Sequence, residues 1–390
     1  MKSPPLAPRT NGAVRLAWID QLRTLVIVLV VNVHACVTYS HLGRWYVIEP
    51  PEPSPPAKLA FLFWEGHLQS FFMGILFLIA GYFAQGSIER RGASGFVRER
   101  LVRLGMPTLL YMVALHPLIV FAINPDGADR RPRFGAYMSY LVRGQFLDGS
   151  GPMWFAAALL IFSCALAGWR AARPAPLREK PPAGRVPSLT RIGAWVLLLV
   201  AATFLTRTVQ PVGTAILNTQ LGYFPQYIMA FGAGVAASRG AWLQPIARSA
   251  LARRAGWLGL TLGPLALGAV LVAGGLLKGE GTADFTGGWH FAALGIATWE
   301  QVTGFALGLG ALAFCAGNLD VSTPLSRWLS ERSFAVYVFH PVILVALTLA
   351  LRPLAGDPFL KVALLTAAGL AGSYLVADVA RRIPGLRTIL

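Results

Sequence analysis

Residues 22–37 read LRTLVIVLVVNVHACV. Apart from Thr24, the polar members of this run are one cation at Arg23, one amide at Asn32 and one imidazole at His34. About 20 such residues in a helix cross the apolar part of a bilayer. The rest of the chain repeats the pattern. Of 390 residues, 55% are hydrophobic and 13% are charged, and mean hydropathy is +0.57. An ordinary globular chain carries about 25% charged residues. So few charges cannot solvate a water-facing surface, and most of the surface must meet lipid. The sequence predicts an all-α, polytopic integral membrane protein with about ten transmembrane helices, at 18–40, 59–84, 104–123, 152–169, 192–209, 223–238, 256–277, 292–316, 333–352 and 359–380. Lipid leaves open backbone groups without partners, which forces helices. The runs lack the period-two alternation of a membrane barrel.

The charge is lopsided, with 34 Lys and Arg against 17 Asp and Glu, a net +17. In a soluble protein this would suggest nucleic acid; here no nucleic-acid partner is expected. Loops after even-numbered spans, with both termini, hold 23 of the basic residues and the opposite loops hold ten. By the positive-inside rule both termini are then cytoplasmic. Acids such as Glu49, Asp126, Asp129, Glu280 and Asp357 leave the outer face near neutral. The Pro-rich stretches at 50–56 and 174–187 read as surface loops. Residues 1–390 are read as a single membrane domain, with the first span retained and no separate extramembrane domain. Cys36, Cys164 and Cys315 sit in apolar runs without metal-ligand spacing, so neither a disulfide framework nor a metal site is expected.

Charge inside a span costs about 2.5–3.5 kcal/mol on insertion scales and marks function by default. With the inner boundary near Asp20, His34 lies about 20 Å deep at helical rise. Arg23 and His34 are close to three turns apart and share a face. A snorkelling Arg and a His bonded across helices is the structural alternative. Glu65 and His67 enter the second span from the outer side at a similar depth, where either could orient His34 or be a wetted interfacial group. Glu300 could join the same cluster. Arg100 and Arg103 are three residues apart before the third span and suit phosphate oxygens, or are ordinary positive-inside charge. His340, followed by Pro341, is either a wall of a polar cavity or a structural His. Phe231–Gly234 and Gly304–Gly308 read as close helix packing.

These residues resemble the acyltransferase-3 family of integral membrane acyltransferases. The resemblance rests on Asp20-x-x-Arg23 followed after ten residues by His34, and on Phe77-Leu-Ile-Ala-Gly81-Tyr82-Phe83. It rests also on Arg100-Leu-Val-Arg103-Leu-Gly-Met-Pro107 and on Tyr337-x-x-His340-Pro341. Tyr39-Ser40 followed by Trp45 is similar to the branch with periplasmic-glucan succinyltransferases. The resemblance implies transfer of an acetyl or succinyl group from cytosolic acyl-CoA to a hydroxyl, commonly on a cell-envelope glycan. His34 would be catalytic with Arg23 as its companion, and Arg100 and Arg103 would hold the CoA phosphates. His340, Tyr337, Asp20 and Glu300 are expected on the substrate path. No tightly bound cofactor is implied, since acyl-CoA is a substrate. The expected location is the cell inner membrane, and monomer and homodimer both stay open. The chain departs from some relatives in lacking an extracytoplasmic esterase-like domain, and Leu-Ile-Ala stands where Ser often precedes this Gly. Rival readings are an acceptor that is a lipid-soluble or cytosolic small molecule, and a glycolipid transporter or flippase.

Overall fold

A computed structural model describes residues 16–124, 133–173, 184–276 and 283–390. Lys2, Arg9, Arg15, Asp126, Asp129, Glu280 and the stretch 174–183 lie outside the described residues. In chain order the elements begin with α1 (Ala17–Ser40) and α2 (Pro55–Arg100). Two five-residue π-helical turns, Leu101–Gly105 and Tyr111–Leu115, flank α3 (Met106–Leu110) and lead into α4 (His116–Ile123). Then come α5 (Arg133–Val142), α6 (Trp154–Ala172), α7 (Leu189–Val209) and α8 (Phe224–Gly240). The chain continues through α9 (Leu243–Ala247), α10 (Ala250–Ala273), α11 (Ala283–Thr286) and α12 (Phe291–Asn318). It ends with α13 (Pro324–Leu351), α14 (Pro358–Ala380) and α15 (Leu386–Ile389). No strand occurs among the described residues. The protein is an all-α polytopic membrane protein.

Among the described residues, eight helical stretches are long and apolar enough to cross a membrane. One of them, Pro55–Ile123, is 69 residues long. A straight helix of that length would measure about 100 Å at 1.5 Å per residue, three bilayer cores. Gly92 breaks it, with φ 69° and ψ 171°. Only a residue without a Cβ takes that conformation cheaply. The chain folds back there: the Ser87 hydroxyl donates to Glu99 at 3.3 Å, and Arg91 pairs with Glu99. The expected spans 59–84 and 104–123 therefore lie on either side of Gly92. The connection between them, expected as a loop, is helical instead. The expected sixth span corresponds to α8, which has 17 residues and is preceded by the 3-10 turn Leu221–Tyr223.

Helices α1 and α2 form the centre. α1 packs on α2, α12, α13 and α14, and α2 packs on α6, α8 and α12. Trp18, Ile19, Leu22, Val31 and Ala35 are buried on α1, against Ala335, Val336 and Leu344 of α13 in the same core. Without a hydrophobic force between helices in lipid, close approach of small residues does the binding. A Cβ on Gly81 would overlap the Phe231 carbonyl, and one on Gly234 would overlap the Leu78 carbonyl. The α2–α8 contact is thus backbone on backbone. Gly304 abuts Ser70 in the same way, whereas Gly232 has open space beside it. The glycine pairs read as packing positions are packing positions at Gly234 and Gly304 and not at Gly232.

Replacing Gly234 by Leu should push α8 off α2. Overpacking of this kind costs about 1–3 kcal/mol or more, and the thermal unfolding midpoint in detergent should fall, while Gly232→Ala leaves it unchanged.

Candidate active site

The parallel helices α1 and α13 carry the site. Both start at the same end of the bundle, where the Trp18 backbone N–H donates to Asp320 at 3.4 Å just before α13. Fourteen residues into its own run from Asp20, α1 presents His34; α13 presents His340, which is buried. His340 Nε2 lies 3.0 Å from His34 Nδ1, and His340 Nδ1 lies 2.7 Å from the Tyr337 carbonyl oxygen.

These two distances fix the protons of the neutral pair. A carbonyl oxygen only accepts, so His340 Nδ1 must carry its hydrogen and donate it to Tyr337. His340 Nε2 then holds a lone pair and accepts from His34 Nδ1–H. His34 Nε2 is left unprotonated, with a lone pair able to take a proton. A relay that begins at a backbone carbonyl therefore sets the tautomer of His34. Tyr337 is itself held, its hydroxyl donating to the Pro152 carbonyl on the turn before α6.

The loop after α1 closes over this pair. Trp45 stacks on His34 with ring centroids 4.0 Å apart and planes 15° from parallel. The Trp45 Nε1–H is buried and has no hydrogen-bond partner. Beside it, the Tyr46 hydroxyl lies 2.9 Å from that of Tyr111 and 2.8 Å from His116 Nδ1. Burial pushes the Tyr46 phenol above its ordinary pKa, so it stays a neutral hydroxyl. Tyr111 opens the second π-helical turn, an irregularity frequent at functional sites. A Cβ on Gly151, which has φ 47°, would collide with both Tyr46 and Tyr111. Asn32, two residues before His34 on α1, accepts from Trp64 Nε1 at 2.8 Å and donates to Thr366 at 3.2 Å.

The other expected site residues fall in different places. Glu65 meets the Ser40 hydroxyl at the far end of α1, with one carboxyl oxygen buried and unpartnered. His67 bonds the Phe63 carbonyl through Nδ1 at 2.5 Å and sits edge-on to Trp299 at 5.1 Å. The orienting contact on His34, looked for at Glu65 or His67, is made by His340. Arg23 and Asp20 are an i,i+3 ion pair at 3.6 Å. Arg23 lies about 16 Å and Asp20 about 21 Å along α1 from His34 at helical rise, which is too far for contact. Arg100 places its guanidinium 4.9 Å over the Phe96 ring, with its Nε buried and unpartnered. Arg103 is exposed and lies 3.7 Å from Glu99.

Glu300 is not beside His34. Arg207 Nη2 donates to both of its oxygens, at 3.0 and 2.8 Å, and Gln301 Nε2 adds a bond at 2.9 Å. Arg207 also donates to the Gly222 carbonyl at 3.2 Å and lies over the Tyr223 ring at 4.9 Å. The network continues through Gln226, which donates to Gln301 at 3.1 Å and to the Ser70 carbonyl at 2.6 Å. The ten basic residues assigned above to the outer loops include Arg207, and Arg23 is the cation expected within the spans. Arg207 is in fact inside α7 and buried, but Glu300 neutralises it. This ion pair ties α7, α8 and α12 together rather than serving the histidines.

The sequence profile of an acyltransferase domain matches residues 16–378. The chain belongs to the acyltransferase-3 family. It is an enzyme that transfers acyl groups other than aminoacyl groups, and it does so as a multi-pass membrane protein. No curated protein and no solved structure matches it. The match spans both histidines and the arginines at 23, 100 and 103. In the sequence Trp45 marks only the branch, and nothing there brings Tyr46, Tyr111 and His116 together. His116-Pro117 inside the third span was a findable signal, by the argument that singled out His340-Pro341.

Two outcomes check this acyltransferase site. His340→Ala should remove the acceptor that orients His34 and lower kcat by about 100-fold in an acyl-transfer assay, with the protein still folded by circular dichroism. Glu300→Ala should leave Arg207 buried and uncompensated, a loss of about 3–5 kcal/mol seen as a lower unfolding midpoint; Arg207→Leu combined with Glu300→Leu should recover much of it.

Proposed function

We propose that this enzyme is an O-acyltransferase that takes a short acyl group, acetyl or succinyl, from cytosolic acyl-CoA. The acceptor is a hydroxyl of a cell-envelope or periplasmic glycan, and the location is the inner membrane. The observation that carries the reading is the relay from the Tyr337 carbonyl through His340 to His34, which leaves His34 Nε2 as a base. A hydroxyl is a weak nucleophile and needs such a base.

The reaction balances on one histidine. His34 Nε2 takes the acceptor's hydroxyl proton as its oxygen attacks the thioester carbonyl. The tetrahedral intermediate collapses, the C–S bond breaks, and His34 returns the proton to the CoA sulfur. The products are the ester and free CoA. The Trp45 Nε1–H, buried beside His34 without a partner, is suited to steady the carbonyl oxygen as charge develops on it. Of the two roles open to Arg23, steadying the thioester oxygen or the pantetheine arm, its distance from His34 suits it to the arm near the inner mouth. Polyanionic CoA stays at that mouth with Arg100 and Arg103, and the thin arm runs along α1 to His34. The asymmetry of basic residues supports putting this mouth in the cytosol.

A second reading keeps the chemistry and changes the acceptor. A groove of 610 Å³ opens between α2, α7, α8 and α12, apolar except for Gln226 and Gln301 on its floor and Arg191 at one end. Its size and lining suit a lipid-soluble molecule.

His34→Ala, reconstituted with acyl-CoA and acceptor, should lose about 10²–10⁴ in rate; full retained transfer would remove His34 from its role. Mass spectra of envelope glycans from cells with and without the chain should differ by one acyl mass. An unchanged glycan with an acylated lipid-soluble product would favour the groove.

A further inference from the structure

Arg332, Arg381, Arg382 and Arg387, with Glu331 and Asp378, line a concave site of 550 Å³ where α13 begins and α14 ends. Four guanidiniums face two carboxylates. Asp378 is already committed twice, to Arg332 and to Arg382, each at 2.6 Å. Arg381 and Arg387 form no ion pair with an Asp or Glu side chain among the described residues. Arg381 Nη1 instead donates to the Leu390 main-chain oxygen at 2.7 Å, which pins the segment. Burial, and after it the Arg332 guanidinium, holds the Arg381 pKa below its ordinary value. Arg332 cannot relieve this crowding by turning away, because its guanidinium is bound to Asp378 and lies 4.5 Å over the Trp328 ring.

Ordinary positive-inside charge spreads over loops; this cluster is concave, pinned and short of negative charge. It also adjoins the donor's expected entrance. α15, which carries Arg387, packs against the π-helical turn Leu101–Gly105, which carries Arg103. The two basic groups therefore share one surface. Planar guanidinium forks suit phosphate oxygens. CoA carries a diphosphate and, farther from its thioester, a separate phosphate on the sugar. Arg100 and Arg103 match the first and leave the second without a partner.

We propose that Arg381 and Arg387 hold the sugar phosphate of the acyl-CoA donor. This rests on the acyl-CoA reading above. Arg332 and Arg382 add positive potential while staying bound to Asp378.

The test uses the full chain in neutral detergent and calorimetric titration with CoA and with 3′-dephospho-CoA. The wild type should bind CoA about tenfold tighter than dephospho-CoA, about 1.4 kcal/mol. Arg381→Gln with Arg387→Gln should lose that tenfold preference and bind dephospho-CoA as the wild type does. Arg387→Gln alone, at an exposed side chain with no bond to break, should show part of the effect if the double variant unfolds. Equal weakening toward both ligands, or toward neither, overturns the proposal. So does a loss of phosphatidylglycerol binding without loss of CoA preference, which would assign the cluster to a lipid headgroup. If the wild type binds neither nucleotide, the donor reading itself fails, and that result is distinct from the others.

Discussion

Lipid offers no hydrogen-bond partner, so the polar side chains this protein buries turn to protein groups, and the longer ones reach across to other helices. The arrangement of the bundle follows from that. Asn32 reaches α2 and α14, Arg207 reaches α12, Gln226 reaches α2 and α12, and His34 reaches α13. Small residues then let the backbones close to contact, as Gly81 and Gly234 do between α2 and α8. The polar bonds set which helices meet and in what rotation, and packing sets how near they come.

The same constraint makes the chemistry. A histidine in water exchanges tautomers freely. Here a backbone carbonyl at Tyr337 holds one proton, and that choice passes through His340 to His34. Pro341 follows His340 directly inside α13, and the residue that supplies the carbonyl is one helical turn earlier. His34 is thus oriented by main chain rather than by a carboxylate. This leaves no negative charge beside the histidines, an economy that suits an apolar surrounding.

Polar groups in the spans divide into two sets with different work. The Arg207–Glu300 network is turned inward: both Glu300 oxygens are bonded within the protein, and it serves packing. The His34–Trp45 set is open. Trp45 Nε1 is buried without a partner while its ring stacks on His34, and an unsatisfied donor beside that imidazole is where a substrate can bond. The basic surface at Arg100, Arg103 and Arg381 is open in the same sense, with more cations than carboxylates.

Composition and the lengths of apolar runs were enough to determine an all-α membrane protein, because the bilayer fixes helix length and forbids open backbone. Most span boundaries were legible to within a few residues, from 18–40 to 359–380. The break at Gly92 was not, since helical propensity continues through it and only the fold-back onto Glu99 reveals the turn. His34 was legible because a titratable group in a span is costly and therefore conspicuous. Its partner was not. Glu65, His67, Glu300 and His340 all sit at plausible depths, and sequence gives depth along a helix but not rotation about its neighbours. Tertiary packing turned His340 toward His34, sent Glu300 to Arg207 and set His67 against Trp299. Depth is a property of one helix, which its own residues specify; pairing is a property of two, and only their packing decides it.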